Sequence, residues 1–241
     1  MTDPAHKEKH SSIGGSLKEA VFGFNDGVVS TFAVIAGLTG GLVEQKTVLL
    51  GALATLIAGA FSMGLGTYLG SKSEKDLYEK ERKREIYEMK YMPEIETQEV
   101  REIFEAKGFK GELLEKAVAK ITSNREVWLQ TMMQEELGFA QSPPTPWLDG
   151  IVMSIAFTRG SVMPTLPYFF RSGGAAKWLN MPTGFWISLG LSIIGLLFVG
   201  AFKTKFTGKN IAISALETLG VGTLAAAGSF AIGLLFNVGV A

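Results

Sequence analysis

The residues with the clearest capacity for chemistry are carboxylates. Glu81, Glu85 and Glu88 follow one another at i, i+4 and i+7, and Glu74 falls on the same stripe. Helical periodicity therefore puts all four on one face. Glu96 and Glu99 stand three apart at the start of the next charged segment, and Glu135 and Glu136 come just after Met132 and Met133. Carboxylates on one face, without His or Cys, suit oxygen-seeking divalent cations; adjacent thioethers bias such a site toward softer ions. The bland alternative is a solvated helix, because Lys80, Arg82, Lys83 and Arg84 are interleaved and can pair at i,i+4. No Glu-x-x-His pair is present, which disfavours a ferritin-like di-iron oxidase.

A second set of polar residues lies inside apolar runs, where an ionisable group costs about 2.5–3.5 kcal/mol and so points to function. Asp26 sits a third of the way into the first run, with Glu19 seven residues earlier on the same face. Met63 falls at a similar depth in the second run. A carboxylate facing a thioether accepts a moderately soft divalent ion such as Fe²⁺ better than Mg²⁺. The alternatives are core filling for Met63 and helix–helix hydrogen bonding for Asp26. Arg159, in the middle of the third run, opposes a cation path; its structural alternative is an ion pair with Glu217, Asp26 or Glu19.

Charge is segregated. Residues 71–138 hold sixteen of the 23 acidic residues and thirteen of the 23 basic ones. Around this helix-coded insert lie apolar, glycine-rich runs long enough to cross roughly 30 Å of hydrocarbon. The expected fold is an all-α integral membrane protein of five spans: about Leu17–Leu42, Thr47–Gly70, Trp147–Phe170, Pro182–Phe202 and Ile211–Val240. The corresponding domains are a polar tail (1–16), spans one and two (17–70), the helical insert (71–138) and spans three to five (147–241). Within the insert, Pro93 ends a helix over 72–92. Further helices follow over 94–107, 112–121 and, capped by Ser123 or Asn124, up to Leu137. His6 and His10 in the tail have a metal-compatible i,i+4 spacing, against the commoner reading of a disordered terminus. Lys7, Lys9 and Lys18 before span one, and Lys203, Lys205 and Lys209 between spans four and five, outweigh Lys46, Arg171 and Lys177 on the other side. The positive-inside rule then places the N-terminus and the insert in the cytoplasm. The formal net charge of zero gives no reason to expect nucleic-acid binding. The chain has no Cys, hence no disulfide or thiolate site.

With these motifs in view, the chain resembles the vacuolar iron transporter family over nearly its whole length. The resemblance is carried by Asn25-Asp26-Gly27, by Ala60-Phe61-Ser62-Met63-Gly64-Leu65-Gly66-Thr67-Tyr68-Leu69 leading into Lys72-Ser73-Glu74, and by Lys83-Arg84-Glu85. It continues through Met132-Met133 with Glu136-Leu137-Gly138, Pro164-Thr165-Leu166-Pro167-Tyr168, and Phe206-Thr207-Gly208 followed by Ser214-Ala215-Leu216-Glu217-Thr218. It implies a homodimer in the lipid bilayer that exchanges cytosolic Fe²⁺, and often Mn²⁺, for protons. By resemblance, Asp26 and Met63 line the ion path at the dimer interface and Glu19 marks its cytoplasmic mouth. Glu85, Glu88, Glu96, Glu99 and Glu136, with Met132 and Met133, match the ligands of the family's cytoplasmic metal-binding domain, where Zn²⁺ or Mn²⁺ would also bind. Two positions depart from the pattern: Thr55 replaces a Glu two turns before the Met of span two, and Arg159 has no counterpart.

The function expected is proton-coupled export of Fe²⁺ or a similar ion from the cytosol, with a membrane-anchored metal-binding or sensor protein as the alternative. Without a nucleophile–base pattern, an enzyme is not expected. The expected location is a prokaryotic plasma membrane, with a vacuolar membrane, the family's name-giving case, as the alternative.

Overall fold

The structure, a computed structural model, describes residues 14–140, 143–170, 177–178 and 181–236. His6, His10 and Arg171 fall outside the described residues. Among the described residues there are eight α-helices: α1 (Gly14–Gly40), α2 (Gln45–Tyr91), α3 (Pro93–Ala106), α4 (Gly111–Thr122), α5 (Arg125–Thr131), α6 (Pro146–Phe169), α7 (Thr183–Thr207) and α8 (Ile211–Phe236). A π-helical turn, Met132–Glu136, continues α5. A two-residue antiparallel pair, β1 (Lys177–Trp178) and β2 (Met181–Pro182), precedes α7. The chain forms two compact units: residues up to Tyr68 together with those from Trp147 onward, and the insert Leu69–Pro146.

The second apolar run and the first charged helix, read from the sequence as separate, are one helix of 47 residues. Nothing between Gly70 and Glu74 interrupts the backbone, since no proline occurs between Pro4 and Pro93. Among the described residues, four helices are long and apolar enough to cross a membrane: Leu17–Gly40 in α1, α2, Thr183–Lys205 in α7, and α8. The expected third span, α6, is long enough but is not among them. Asp149, Arg159, two prolines and several hydroxyls lower its hydropathy.

That polarity has a packing explanation. α6 lies against α1 and α2, and its hydroxyls bond to backbone across the helix contacts. Ser161 Oγ donates to the Gly27 carbonyl (3.2 Å) and Ser154 Oγ to that of Ala60 (3.0 Å). From α7, Ser188 Oγ donates to the Pro164 carbonyl at 2.7 Å. Glycine permits these approaches: a Cβ on Gly27 would meet Ser161 N at 3.0 Å, and one on Gly160 would meet Val28 N at 3.0 Å. Small residues at a helix crossing let backbones come together where the hydrophobic effect does not drive association. α1 also packs on α7 and α8. The outward surface of α8 is the converse, with Leu216, Val221, Leu224, Ile232 and Leu235 all exposed, as an apolar helix facing lipid requires.

The insert has its own core. Met89, Val100, Leu114, Val118, Trp128, Leu129, Met132 and Met133 are buried together. Asn124 supplies the N-cap of α5, its Oδ1 accepting from Glu126 N (3.0 Å) and Val127 N (3.2 Å). Arg101 clamps α3 to α4 through both oxygens of Glu115, at 3.1 and 3.0 Å.

Candidate metal centre

The carboxylates of the insert are sorted by the chain reversal at Pro93. Met92 leaves the helical region (φ −132°, ψ 46°), and α3 begins at once. Glu85 and Glu88 on α2 are thereby brought to Glu96 on α3, with oxygens of all three within 4.8 Å of one another. Glu99 on α3 and Glu136 at the end of the π-helical turn are close enough to raise the proton affinity of this group. Each buried carboxylate stands one turn from a buried core residue, Glu85 with Met89 and Glu96 with Val100, and the exposed Glu136 stands one turn from Met132. The acidic cluster is thus an end layer laid on the apolar core, which explains how acidic side chains come to be buried there.

Glu85 is 2% exposed and Glu96 3%. Each has one buried oxygen, Oε2, with no hydrogen-bond partner. An unpartnered buried carboxylate oxygen is costly unless a cation or a proton meets it. Burial first, then the neighbouring carboxylates, push Glu85 up to about 7 and Glu96 up to about 8. Glu96 lies in the first turn of α3, where the helix dipole favours the anion; burial and repulsion outweigh it. Glu136 is raised for the same reasons, burial foremost. Glu88 is the exception in the group, since Arg84 Nε donates to its Oε1 at 3.0 Å. The two buried, mutually repelling and unpartnered oxygens of Glu85 and Glu96, beside Glu88, fit a divalent cation.

Several expected ligands are placed elsewhere. Glu81 pairs with Arg84 and Lys80, both at 3.6 Å, and Glu135 pairs with Lys107 at 2.6 Å. Met132 and Met133 are in the hydrophobic core, 0% and 3% exposed. The π-helical turn at this point went unread in the sequence, where 124–137 looked like one α-helix. Its extra residue per turn re-aims the side chains that follow, and such turns are frequent at functional sites. The pairing of Arg84 with Glu88 is one of the i,i+4 pairs that the interleaved basic residues allow.

In the other unit, Asp26 and Met63 are both half-buried. Asp26 directly precedes Gly27, which lies against Phe157 and Ser161, and Met63 directly precedes Gly64, which lies against Ser154. Both therefore lie beside the same two turns of α6. Glu19 is on α1 with Lys18 Nζ 3.9 Å away. Thr55 Oγ1 donates to the Gly51 carbonyl at 2.8 Å. Arg159 is exposed, on the outward stripe of α6 that includes Ile151, Ile155, Val162 and Leu166. Among the described residues it makes no ion pair with Glu217, Asp26 or Glu19; Glu217 instead lies 3.9 Å from Lys203 Nζ.

Apolar spanning helices together with a buried carboxylate cluster define a membrane protein equipped to hold divalent cations. Known proteins agree in kind: a family model described as the VIT family matches residues 17–234. The chain is 33% identical over 228 residues to Vacuolar iron transporter 1 of Tulipa gesneriana, covering 94% of this chain and 90% of that protein. It is 35% identical over 226 residues to Vacuolar iron transporter 2 of Oryza sativa subsp. japonica (93% and 89% covered), and 34% over 228 residues to Vacuolar iron transporter 1 of Arabidopsis thaliana (94% and 88%). The chain belongs to the VIT family.

Proposed function

We propose that this protein transports Fe²⁺ and similar divalent ions, Mn²⁺ included, out of the cytosol in exchange for protons. The carrying observation is the convergence of Glu85, Glu88 and Glu96, with orphaned oxygens on two of them, in a chain whose other unit is built of membrane-spanning helices. The relatives' names, vacuolar iron transporters, support iron as the cargo. In this reading the insert is cytoplasmic and gathers ions through Glu85, Glu88, Glu96, Glu99 and Glu136. Met132 and Met133 belong to the apolar core on which the carboxylates are laid. α6 completes a set of five spans, with Ser161 and Ser154 bonded to the backbone of α1 and α2.

Asp26 and Met63 pass the ion, and Asp26 or Glu19 exchanges the proton. The chain works as a homodimer; the exposed α2 stripe of Ile57, Phe61 and Leu65 supports a packing face near Met63. The relatives' names favour a vacuolar or comparable internal membrane over a prokaryotic plasma membrane. The test is Fe²⁺ uptake into proteoliposomes under an imposed pH gradient. Absence of uptake, or uptake unchanged in Asp26→Ala, refutes transport along this path.

A second reading, a membrane-anchored metal sensor, draws on the exposed Arg159 and on Thr55 standing where the resemblance expects a Glu. It requires metal binding by the full chain without flux. A rise in flux in Arg159→Ala would favour it.

A further inference from the structure

Two cavities lie along one seam of the membrane unit. The first, about 450 Å³, is bordered by Lys18 and Asn25 of α1, Lys203 of α7, and Glu217 and Thr218 of α8. The second, about 320 Å³, is bordered by Val28 and Phe32 of α1, Leu189 and Leu196 of α7, and Leu219 and Phe230 of α8. Both are walled by the same three helices, and their lining residues follow on in sequence along each. α1 and α8 run parallel here and α7 antiparallel. The Lys-bearing cavity therefore lies at the first turns of α1 and α8 and the last turns of α7, and the apolar one lies further in.

The seam is amphipathic in the way a lipid is. Lys18 and Lys203 border its polar end, with Glu217. Lys203 Nζ donates to Thr218 Oγ1 at 3.2 Å and lies 3.9 Å from Glu217; an ammonium has three donors, so one remains for an outside acceptor. Asn25 Oδ1 is buried without a hydrogen-bond partner and borders the same cavity. It is an acceptor waiting for a hydroxyl or ammonium donor. Basic pockets between spanning helices suit anionic headgroups.

We propose that the α1–α7–α8 seam binds one anionic glycerophospholipid, with its phosphate at Lys18 and Lys203, a headgroup hydroxyl at Asn25, and an acyl chain in the apolar cavity. Asn25 and Asp26 are neighbours about 100° apart around α1, so the lipid and a cation at Asp26 occupy different faces of one helix. Bound lipid would then fix the rotation of α1 and with it the aim of Asp26. This rests on the spanning character of α1, α7 and α8 rather than on transport.

The test is native mass spectrometry of the full chain in detergent, offered equal amounts of phosphatidylglycerol and phosphatidylcholine. One phosphatidylglycerol is expected to stay bound per chain, in preference to phosphatidylcholine. Lys18→Ala and Lys203→Ala each lower that preference roughly five-fold, and together about twenty-five-fold. The double Arg variant keeps the preference, and Thr223→Trp, which fills the apolar cavity, lowers retention of both lipids. Equal retention of the two lipids overturns the proposal, as does loss of preference in the double Arg variant or its survival in the double Ala variant. Because the chain has no Cys, Thr223→Cys adds a clean probe: a disulfide-linked pair would mean that a second copy, not a lipid, covers the seam.

Discussion

Metal binding by this protein is expected to be a proton-exchange reaction with a steep and specific pH dependence. With Glu85 near 7 and Glu96 near 8, the apo site at pH 7 holds about one and a half protons on these two groups, and a cation must expel them. The slope of log affinity against pH equals the number of protons released. It should approach two below pH 6, pass through about one and a half at pH 7, and flatten above pH 8.5. Between pH 5.5 and 8.5 the affinity for Mn²⁺ should rise by three to four powers of ten, on the order of 10³–10⁴. Stability moves in the opposite sense for the apo protein. A carboxylate whose folded value is raised contributes stability that is fully present below about 4.5 and is lost as pH rises through 7 to 8. The shift of Glu85 alone corresponds to about 3 kcal/mol. Without metal the insert should be better protected against hydrogen exchange at pH 5.5 than at pH 8.5; with Mn²⁺ the order should reverse. Calorimetry of the full chain in buffers of different ionisation enthalpy counts the protons directly. Release of fewer than half a proton per ion at pH 7 would mean that Glu85 and Glu96 are already ionised, and that burial and mutual repulsion do not govern the site.

Other consequences follow from single side chains. Glu96→Gln keeps the shape and removes a charge, so it should raise apo protection at pH 8 while lowering Mn²⁺ affinity by two powers of ten or more, roughly the upper range for outer partners of metal ligands. Gly160→Ala puts a Cβ against Phe24 and Val28 backbone and should sharply lower the yield of folded protein in detergent. Gly66→Ala, with open space around it, should be neutral or stabilising by up to about 1 kcal/mol. Asn124→Ala removes the cap of α5 and should cost the insert about 1 kcal/mol by hydrogen exchange.

What the sequence could and could not reveal divides along physical lines. The two ends of α3 were legible because Pro93 and the positive-φ Gly108 act locally. The membrane character of α1, α2, α7 and α8 was legible because it depends only on composition. α6 did not meet the same standard, because a helix sheltered by its neighbours can be polar, and shelter is a tertiary fact. Periodicity gave Glu74 and Glu81 the same standing as Glu85 and Glu88, since it fixes a face and nothing more. The choice among them is made by where α3 returns after Pro93. Glu135 and Glu136 were likewise equivalent on paper, and the π-helical turn sends one to Lys107 and the other to the cluster. The resemblance pointed to Glu85, Glu88, Glu96, Glu99 and Glu136 without giving a reason; for the two that are buried, Glu85 and Glu96, the reason is their place one turn from Met89 and Val100.

The protons of the insert also limit what the insert can do in the proposed cycle. A cation that enters the cluster expels protons into the compartment it came from, and the same number return when it leaves toward the spans. If both events face the same side, the net proton transfer across the membrane is zero, however strong the pH dependence of binding. The cluster then sets how much ion is presented at a given cytosolic pH, and it cannot set the stoichiometry of exchange. That task falls to groups that can face both sides in turn. With Thr55 bonded to the Gly51 carbonyl and Arg159 on the outward stripe, Asp26 and Glu19 are left to carry it. Replacing Glu85 and Glu96 should therefore shift the ion concentration needed for half-maximal uptake and leave the number of protons exchanged per ion unchanged. A changed ratio would place the coupling in the insert and overturn this division of labour.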